Sequence, residues 1–152
     1  MTGGNLNEKG TYTGQWLSNK MDGVGIFKWA SGRMYVGEWV ADLKDGIGIL
    51  SFKGGNEYSG EFVGDKRQGY GYYQWADNRK FKGWWFENKQ HGLGVYFSPE
   101  STSAKFGIWQ LGKRVKWLSE QECESVRNGQ LDYTTFLGLQ HLQPNDPDKN
   151  LS

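Results

Sequence analysis

The sequence has little of what secretion, metal binding or catalysis would need. Its 152 residues include one cysteine, Cys123, and two histidines, His91 and His141. A single cysteine forbids an internal disulfide and fits a reducing compartment, and no Cys or His cluster has the spacing of a metal site. No apolar run approaches membrane-spanning length, and "MTGGNLNEKG" lacks the hydrophobic segment of a signal peptide. We therefore expect a soluble, cytoplasmic protein without metal or cofactor.

An excess of charge of one sign is also missing, whereas glycine and aromatic residues are abundant. The 18 basic and 17 acidic residues leave a net charge of +1, so we expect no nucleic-acid partner. There are 23 glycines, and Trp, Tyr and Phe occur eight times each. Disordered chains are poor in aromatic residues, and this length suits one folded domain.

The glycines and rings recur with a fixed period. The segments "TYTGQW", "MYVGEW", "EYSGEF" and "KFKGWW" place their glycines 23 residues apart, at Gly14, Gly37, Gly60 and Gly83. A fifth segment, "KFGIW", follows with Gly107. Each of the first four units continues with a Gly-x-Gly pair, "GVG", "GIG", "GYG" and "GLG". In the fifth unit, by the same spacing, Lys116 and Leu118 stand in place of those two glycines.

This pattern predicts an all-β fold. Alternation of apolar and polar residues at period two indicates strands, and each unit has two of them separated by a polar loop. Gly32, Gly55 and Asn78 join successive units and suit tight turns with positive φ. We predict a meandering antiparallel array of β-hairpins in a single elongated, twisted sheet, in which glycines leave room for rings of adjacent strands.

The repeat pattern ends near residue 118. Ser119 and Glu122 have capping-box spacing and predict a short helix. Tyr133, Phe136, Leu137 and Leu142 predict a second one. We divide the chain into an N-terminal segment (1–9), the array (10–118), a helical segment (119–143) and a disordered tail (144–152). The helical segment either caps the end of the array or binds a partner.

No arrangement in the sequence indicates an enzyme. The "GYG" stretch lacks the strand-to-helix context and the Gly-Lys-Ser/Thr of a phosphate loop. His91 is interpreted as a solvated loop residue and Cys123 as an inert thiol. Glu38 and Glu61 share one repeat position, but Gln15 and Trp84 also occupy it, so a solvated face explains the two carboxylates.

A row of basic residues is the first candidate surface. The predicted hairpin loops carry Lys20, Lys44, Lys66, Arg67, Lys89, Lys113 and Arg114. Stacked loops would place them on one edge, able to contact anionic lipid headgroups or an acidic partner. Asp22, Asp45 and Asp65 neutralise part of the row, so we expect weak contact at most. The alternative is ordinary solvated loops.

An aromatic cluster is the second candidate surface. One face is mostly small or polar at Thr13, Gln15, Val36 and Glu38, but becomes aromatic at Tyr70, Tyr72, Trp84 and Phe86. Exposed aromatic clusters mark protein-binding grooves. We predict that a helix or extended peptide lies across Tyr72 and Trp84. It comes either from residues 132–143 of this chain or from a partner protein.

The Tyr-x-Gly-x-Trp and Gly-x-Gly signatures resemble MORN repeats (membrane occupation and recognition nexus) over about residues 10–118. The resemblance implies a hairpin array that acts as a non-enzymatic interaction or tethering module. By analogy it implies a cytoskeletal, ciliary or membrane-linked assembly. Alternatives are a peripheral phospholipid- or phosphoinositide-binding module and a regulatory partner of a lipid kinase. A homodimer is left open.

Overall fold

The computed structural model describes residues 9–100 and 103–130, which form an open antiparallel sheet and one helix. Ten strands pair in chain order, from β1 at one edge to β10 at the other. The strands are β1 (Gly10–Leu17), β2 (Lys20–Trp29), β3 (Met34–Val40), β4 (Leu43–Ser51), β5 (Glu57–Val63), β6 (Lys66–Gln74), β7 (Lys80–Phe86), β8 (Lys89–Phe97), β9 (Ala104–Gln110) and β10 (Lys113–Trp117). The predicted all-β meander with a short helix is confirmed.

The turn inside each repeat contains only two residues. Ser18 and Asn19 connect β1 to β2 with φ values of 50° and 64°, and the equivalent turns also have positive φ at both positions. Such turns follow the right-handed twist of paired strands. Between repeats, positive φ at Gly32, Gly55 and Asn78 (97°, 103° and 71°) confirms the predicted tight turns. The loops expected inside the repeats are therefore mostly strand.

Glycines form a continuous column across the sheet. Gly37 pairs with Gly48, Gly48 with Gly60, and Gly60 with Gly71. The ring of Tyr35 lies over Gly48, so a Cβ added to that glycine would overlap the ring. The predicted packing of rings over glycines is confirmed.

The core lies on one face of the sheet, which we call the aromatic face. Tyr35 contacts Trp39 of its own strand and Phe62 of the next repeat edge-to-face, with ring centroids 4.9 and 5.2 Å apart. Phe81 makes the same kind of contact with Trp109 at 4.8 Å. Because these contacts link successive repeats, each hairpin is stabilised mainly by its neighbours.

The glycine column ends in the fifth hairpin, but the residue that replaces glycine there is not one of the two that the sequence spacing predicts. The residue opposite Gly107 is Trp117 rather than Lys116 or Leu118. Trp117 is three positions after Arg114, whereas in β8 the equivalent glycine, Gly94, is four positions after Gln90. Lys105 replaces the ring that would otherwise cover this place, so the indole of Trp117 fits there and packs 5.8 Å from Trp109.

Helix α1 (Glu120–Arg127) begins at the predicted capping box. The Ser119 amide donates to the Glu122 carboxylate at 2.8 Å, and the Glu122 amide donates to the Ser119 hydroxyl at 3.2 Å. In the described ranges no helix is long and apolar enough to cross a membrane. The predicted second helix (132–143), the tail (144–152) and all but the last residue of segment 1–9 lie outside the described residues.

Candidate functional site

The face opposite the aromatic face, which we call the outer face, carries two rows of side chains across the strands. Residues that pair across antiparallel strands share a face. Cross-strand pairing aligns the first row as Thr13, Ile26, Val36, Ile49, Ser59, Tyr72, Lys82, Val95 and Phe106. Pairs in the second row are Val24 with Glu38, Ile47 with Glu61, Tyr70 with Trp84, and Leu93 with Ile108.

The outer face is apolar along most of its length. Val24 and Ile47 are each 59% exposed and Tyr70 is 49% exposed, whereas Tyr58 on the aromatic face is fully buried. The expectation that the first repeats are mostly small or polar here is wrong. It considered only the Tyr-x-Gly-x-Trp strands and missed the other strand of each hairpin. The signal was the residue inside each Gly-x-Gly pair and the residue after that pair.

The four predicted aromatic residues do lie together on the outer face. The rings of Tyr70 and Trp84 meet edge-to-face at 5.5 Å. Tyr72 lies in the neighbouring row, with the Lys82 amine 5.3 Å from its ring centroid. Phe86 lies nearer the turn and packs on His91 at 5.8 Å. Tyr72, Trp84 and Phe86 are half-buried.

Glu38 and Glu61 have a structural role that the sequence interpretation missed. Each faces a β-bulge, where two extra residues of the partner strand leave a backbone amide without its ladder acceptor. The Glu38 carboxylate accepts from the Ile47 amide at 2.7 Å, and Glu61 accepts from Tyr70. Trp84 occupies the same repeat position, and its indole has no acceptor atom. Trp84 therefore cannot accept a hydrogen bond from the bulge, and its presence at this position has another reason.

The predicted basic row divides between the two faces. Lys20, Lys66, Lys89 and Lys113 each begin a strand directly after a turn and are exposed. They border the outer face beside the exposed aliphatic residues Leu17, Val63 and Leu111. Lys66 also lies 3.6 Å from the Glu87 carboxylate.

Lys44, Arg67 and Arg114 point to the aromatic face, which corrects the expectation of a single basic edge. Each is the second residue of its strand. Because side chains alternate between the two faces of a strand, each points to the face opposite that of the first residue. Lys44 is 4% exposed and pairs with Asp65 at 3.3 Å. Burial lowers the pKa of Lys44, and Asp65 opposes this shift. The Arg67 guanidinium lies 5.0 Å from the Trp85 ring.

Hydrogen bonds connect the turns of successive repeats. The Met21 amide donates to the Asp42 carboxylate at 2.8 Å, and the Asp42 amide donates back to the Met21 carbonyl at 3.0 Å. Asp65 makes the same pair of bonds with Lys44. Asp22 and Asp45 accept from the Ala41 and Gly64 amides at 3.2 and 3.0 Å. The three aspartates expected to neutralise the basic row therefore also connect neighbouring turns, and Asp65 in addition pairs with Lys44.

His91 takes part in this connection and is not the solvated residue that we expected. It is 2% exposed, and its Nδ1 accepts from the Leu111 amide at 3.1 Å. Burial lowers its pKa. Burial also raises the pKa of the Cys123 thiol. Over residues 9–100 and 103–130, no group of three or more His, Cys, Asp or Glu is placed to hold a metal ion.

Comparison with known protein families identifies the repeat. The MORN repeat family model matches residues 12–32, 35–57, 58–78 and 81–103, more than half of the chain. A search of curated proteins finds no match. MORN repeats are generally non-catalytic modules that mediate protein or membrane interactions. With four consecutive matches and a fifth hairpin that continues the sheet, this chain belongs to the MORN-repeat family.

Proposed function

We propose that the protein is a non-catalytic interaction scaffold that holds a partner protein against its outer face. The observation that carries this proposal is the solvent exposure of the apolar rows at Val24, Ile47 and Tyr70. Large contiguous apolar patches on soluble proteins mark interaction sites. By family analogy, we place the scaffold in a cytoskeletal, ciliary or membrane-linked assembly.

The shape and charge of the outer face favour an amphipathic segment with an acidic flank. Tyr72 and Trp84 lie in adjacent rows and offer aromatic anchors of the kind that dominate binding energy at interfaces. Lys82 belongs to the first row, beside Tyr72, and exposed lysines border the face near the turns. A helix with an apolar stripe and acidic residues beside it complements both features.

Photo-crosslinking can identify what lies on this face. Tyr72 is replaced by the photoreactive amino acid benzoylphenylalanine in the full chain, and a control replaces Tyr96, which lies on the aromatic face. Crosslinking of another protein from position 72 alone supports the proposal. Crosslinks only to residues 132–143, only to a second copy, or to nothing overturn it.

A variant then tests the anchors. Tyr72→Ala with Trp84→Ala should release the crosslinked protein while the β-sheet circular dichroism stays unchanged. Trp16→Ala is the matched control, because that indole is 59% exposed but belongs to the aromatic side of β1. Retention of the partner by the double variant would contradict a role for these rings.

Contact with an anionic membrane is the second candidate. It is favoured by exposed lysines and exposed aliphatic residues that alternate along the turn edge. Basic residues near the surface attract anionic lipid, and aliphatic ones insert into the interface. Replacing Lys20, Lys66 and Lys89 by Glu should abolish sedimentation with phosphatidylserine vesicles. Replacing Lys28, Lys53 and Lys80 by Glu changes the net charge equally at the opposite strand ends and should have less effect.

A further inference from the structure

A cavity of about 300 Å³ opens on the aromatic face where the fourth and fifth hairpins meet. Its walls include three indole rings, two guanidinium groups and one amide, from Trp75, Trp109, Trp117, Arg79, Arg114 and Gln90. It lies on the opposite side of the sheet from Tyr72 and Trp84. The proposed protein-binding surface therefore does not include it.

The cavity arises from a local departure from the repeat. Gln90 occupies the repeat position of Lys44 and Arg67, which precede it at intervals of 23 residues. In those repeats a long cationic side chain lies across the rings, with the Lys44 amine 5.5 Å from Trp29 and the Arg67 guanidinium 5.0 Å from Trp85. Gln90 is shorter and neutral. It leaves open the space that the repeat elsewhere fills.

The ring that closes the cavity comes from a second departure. Trp117 stands opposite Gly107, at the place where the four preceding hairpins have glycine. Its ring lies 5.8 Å from Trp109 and 6.1 Å from Tyr96, in both cases tilted or edge-on. The faces of these aromatic rings are suited to stacking against the flat ring of a ligand.

The charge of the walls is positive. The Arg114 guanidinium lies 4.3 Å from the Trp117 ring centroid, and that of Arg79 lies 4.9 Å from Trp75. Arg79 is paired with Asp77 through Nε at 2.8 Å. Among the residues that the structure describes, none makes a hydrogen bond or ion pair with the Arg114 guanidinium. The walls contain no carboxylate, so they disfavour a cationic ligand.

We propose that this cavity binds a small ligand in which a planar ring carries a phosphate or carboxylate group. Guanidinium groups bind such oxyanions through paired, charge-assisted hydrogen bonds. The indoles supply stacking surfaces for the ring. The cavity volume is at the lower end of ligand pockets, which suits a single ring with one anionic group.

The first test is a titration of the full chain with phenyl phosphate, followed through the indole N–H signals in nuclear magnetic resonance spectra. Saturable shifts of Trp75, Trp109 and Trp117 are expected, with much weaker effects from inorganic phosphate or benzyl alcohol. Equal binding of inorganic phosphate, or no saturable shift, overturns the proposal. Adenosine monophosphate and a phosphotyrosine pentapeptide then distinguish a free metabolite from a protein side chain, and binding of either supports the site.

Variants locate the binding. Arg114→Gln should weaken phenyl phosphate binding about tenfold, as expected for loss of a charge-assisted contact. Arg33→Gln is the matched control, since Arg33 lies over Trp29 on the same face at 4.4 Å but outside the cavity. Gln90→Arg, which restores the side chain of Arg67, should fill the cavity and abolish binding while the sheet remains folded. Unchanged affinity in Arg114→Gln would overturn the proposal whatever the outcome for Gln90→Arg.

Discussion

The phenol ring of Tyr58 in β5 lies directly over Gly71 in the neighbouring strand β6. The Tyr58 hydroxyl reaches past it and donates to the Glu61 carbonyl at 2.8 Å. The next repeat also uses this glycine, because the Trp85 indole donates to the Gly71 carbonyl at 3.3 Å. The packing of Tyr58 thus requires that position 71 have no side chain, and Trp85 bonds to the backbone of the same residue.

Gly71→Val should therefore destabilise the sheet by about 1–3 kcal/mol, since the added carbons would overlap the Tyr58 ring. Chemical denaturation measures the change. Gly64→Ala serves as control, because Gly64 has open space around it and Ala41 occupies the equivalent turn position with positive φ. Equal midpoints for Gly71→Val and the parent chain would contradict this packing.

The buried pair of Lys44 and Asp65 should behave as a coupled unit. Asp65→Asn removes the counter-charge and should cost about 3 kcal/mol, although Asn88 shows that an amide can still accept the turn hydrogen bond. Lys44→Met should be nearly neutral, because Met21 is buried at the equivalent place. In the Lys44→Met background, Asp65→Asn should then cost much less. Additive costs in this double-mutant cycle would disprove the coupling.

His91 should make stability depend on pH. Burial lowers its pKa in the folded chain below the ordinary value near 6.5, so on acidification the unfolded chain takes up the proton first. Stability should therefore fall as the pH decreases through about 6.5 towards the lower pKa of the folded chain. His91→Asn keeps an acceptor for the Leu111 amide without titrating in this range. It should reduce the pH dependence of the melting temperature, and an identical pH profile would argue against this role.

Glu61 should act through its acceptor oxygen rather than its charge. Glu61→Ala leaves the Tyr70 amide at the bulge without its side-chain acceptor and should cost about 1 kcal/mol. Glu61→Gln should be nearly neutral, since Gln15 accepts from the Val24 amide in the first repeat at 2.8 Å. Amide hydrogen exchange at Tyr70 measures the local effect directly. Faster exchange in Glu61→Gln than in Glu61→Ala would contradict the argument.

Much of the fold follows from residues near each other in the chain. The 23-residue period of Tyr-x-Gly-x-Trp and Gly-x-Gly predicts the hairpins, the glycine column and its covering rings. Gly32, Gly55 and Asn78 predict the turns between repeats. The spacing of Ser119 and Glu122 predicts the start of α1. These features depend on strand alternation, on backbone conformation at single residues and on contacts within one or two turns.

The remaining features depended on the register between strands, which the sequence alone did not determine. The length of each turn and bulge decides which face every later side chain occupies, since one residue more or less reverses the alternation. That is why Lys44 and Arg67 lie over the rings, and why Trp117 rather than Lys116 meets Gly107. The burial of His91 and the continuity of the apolar outer rows arise in the same way. The periodicity of the sequence determined the hairpins, whereas only the assembled sheet decided which surface each side chain forms, because that surface is made from neighbours about 23 residues apart in the chain.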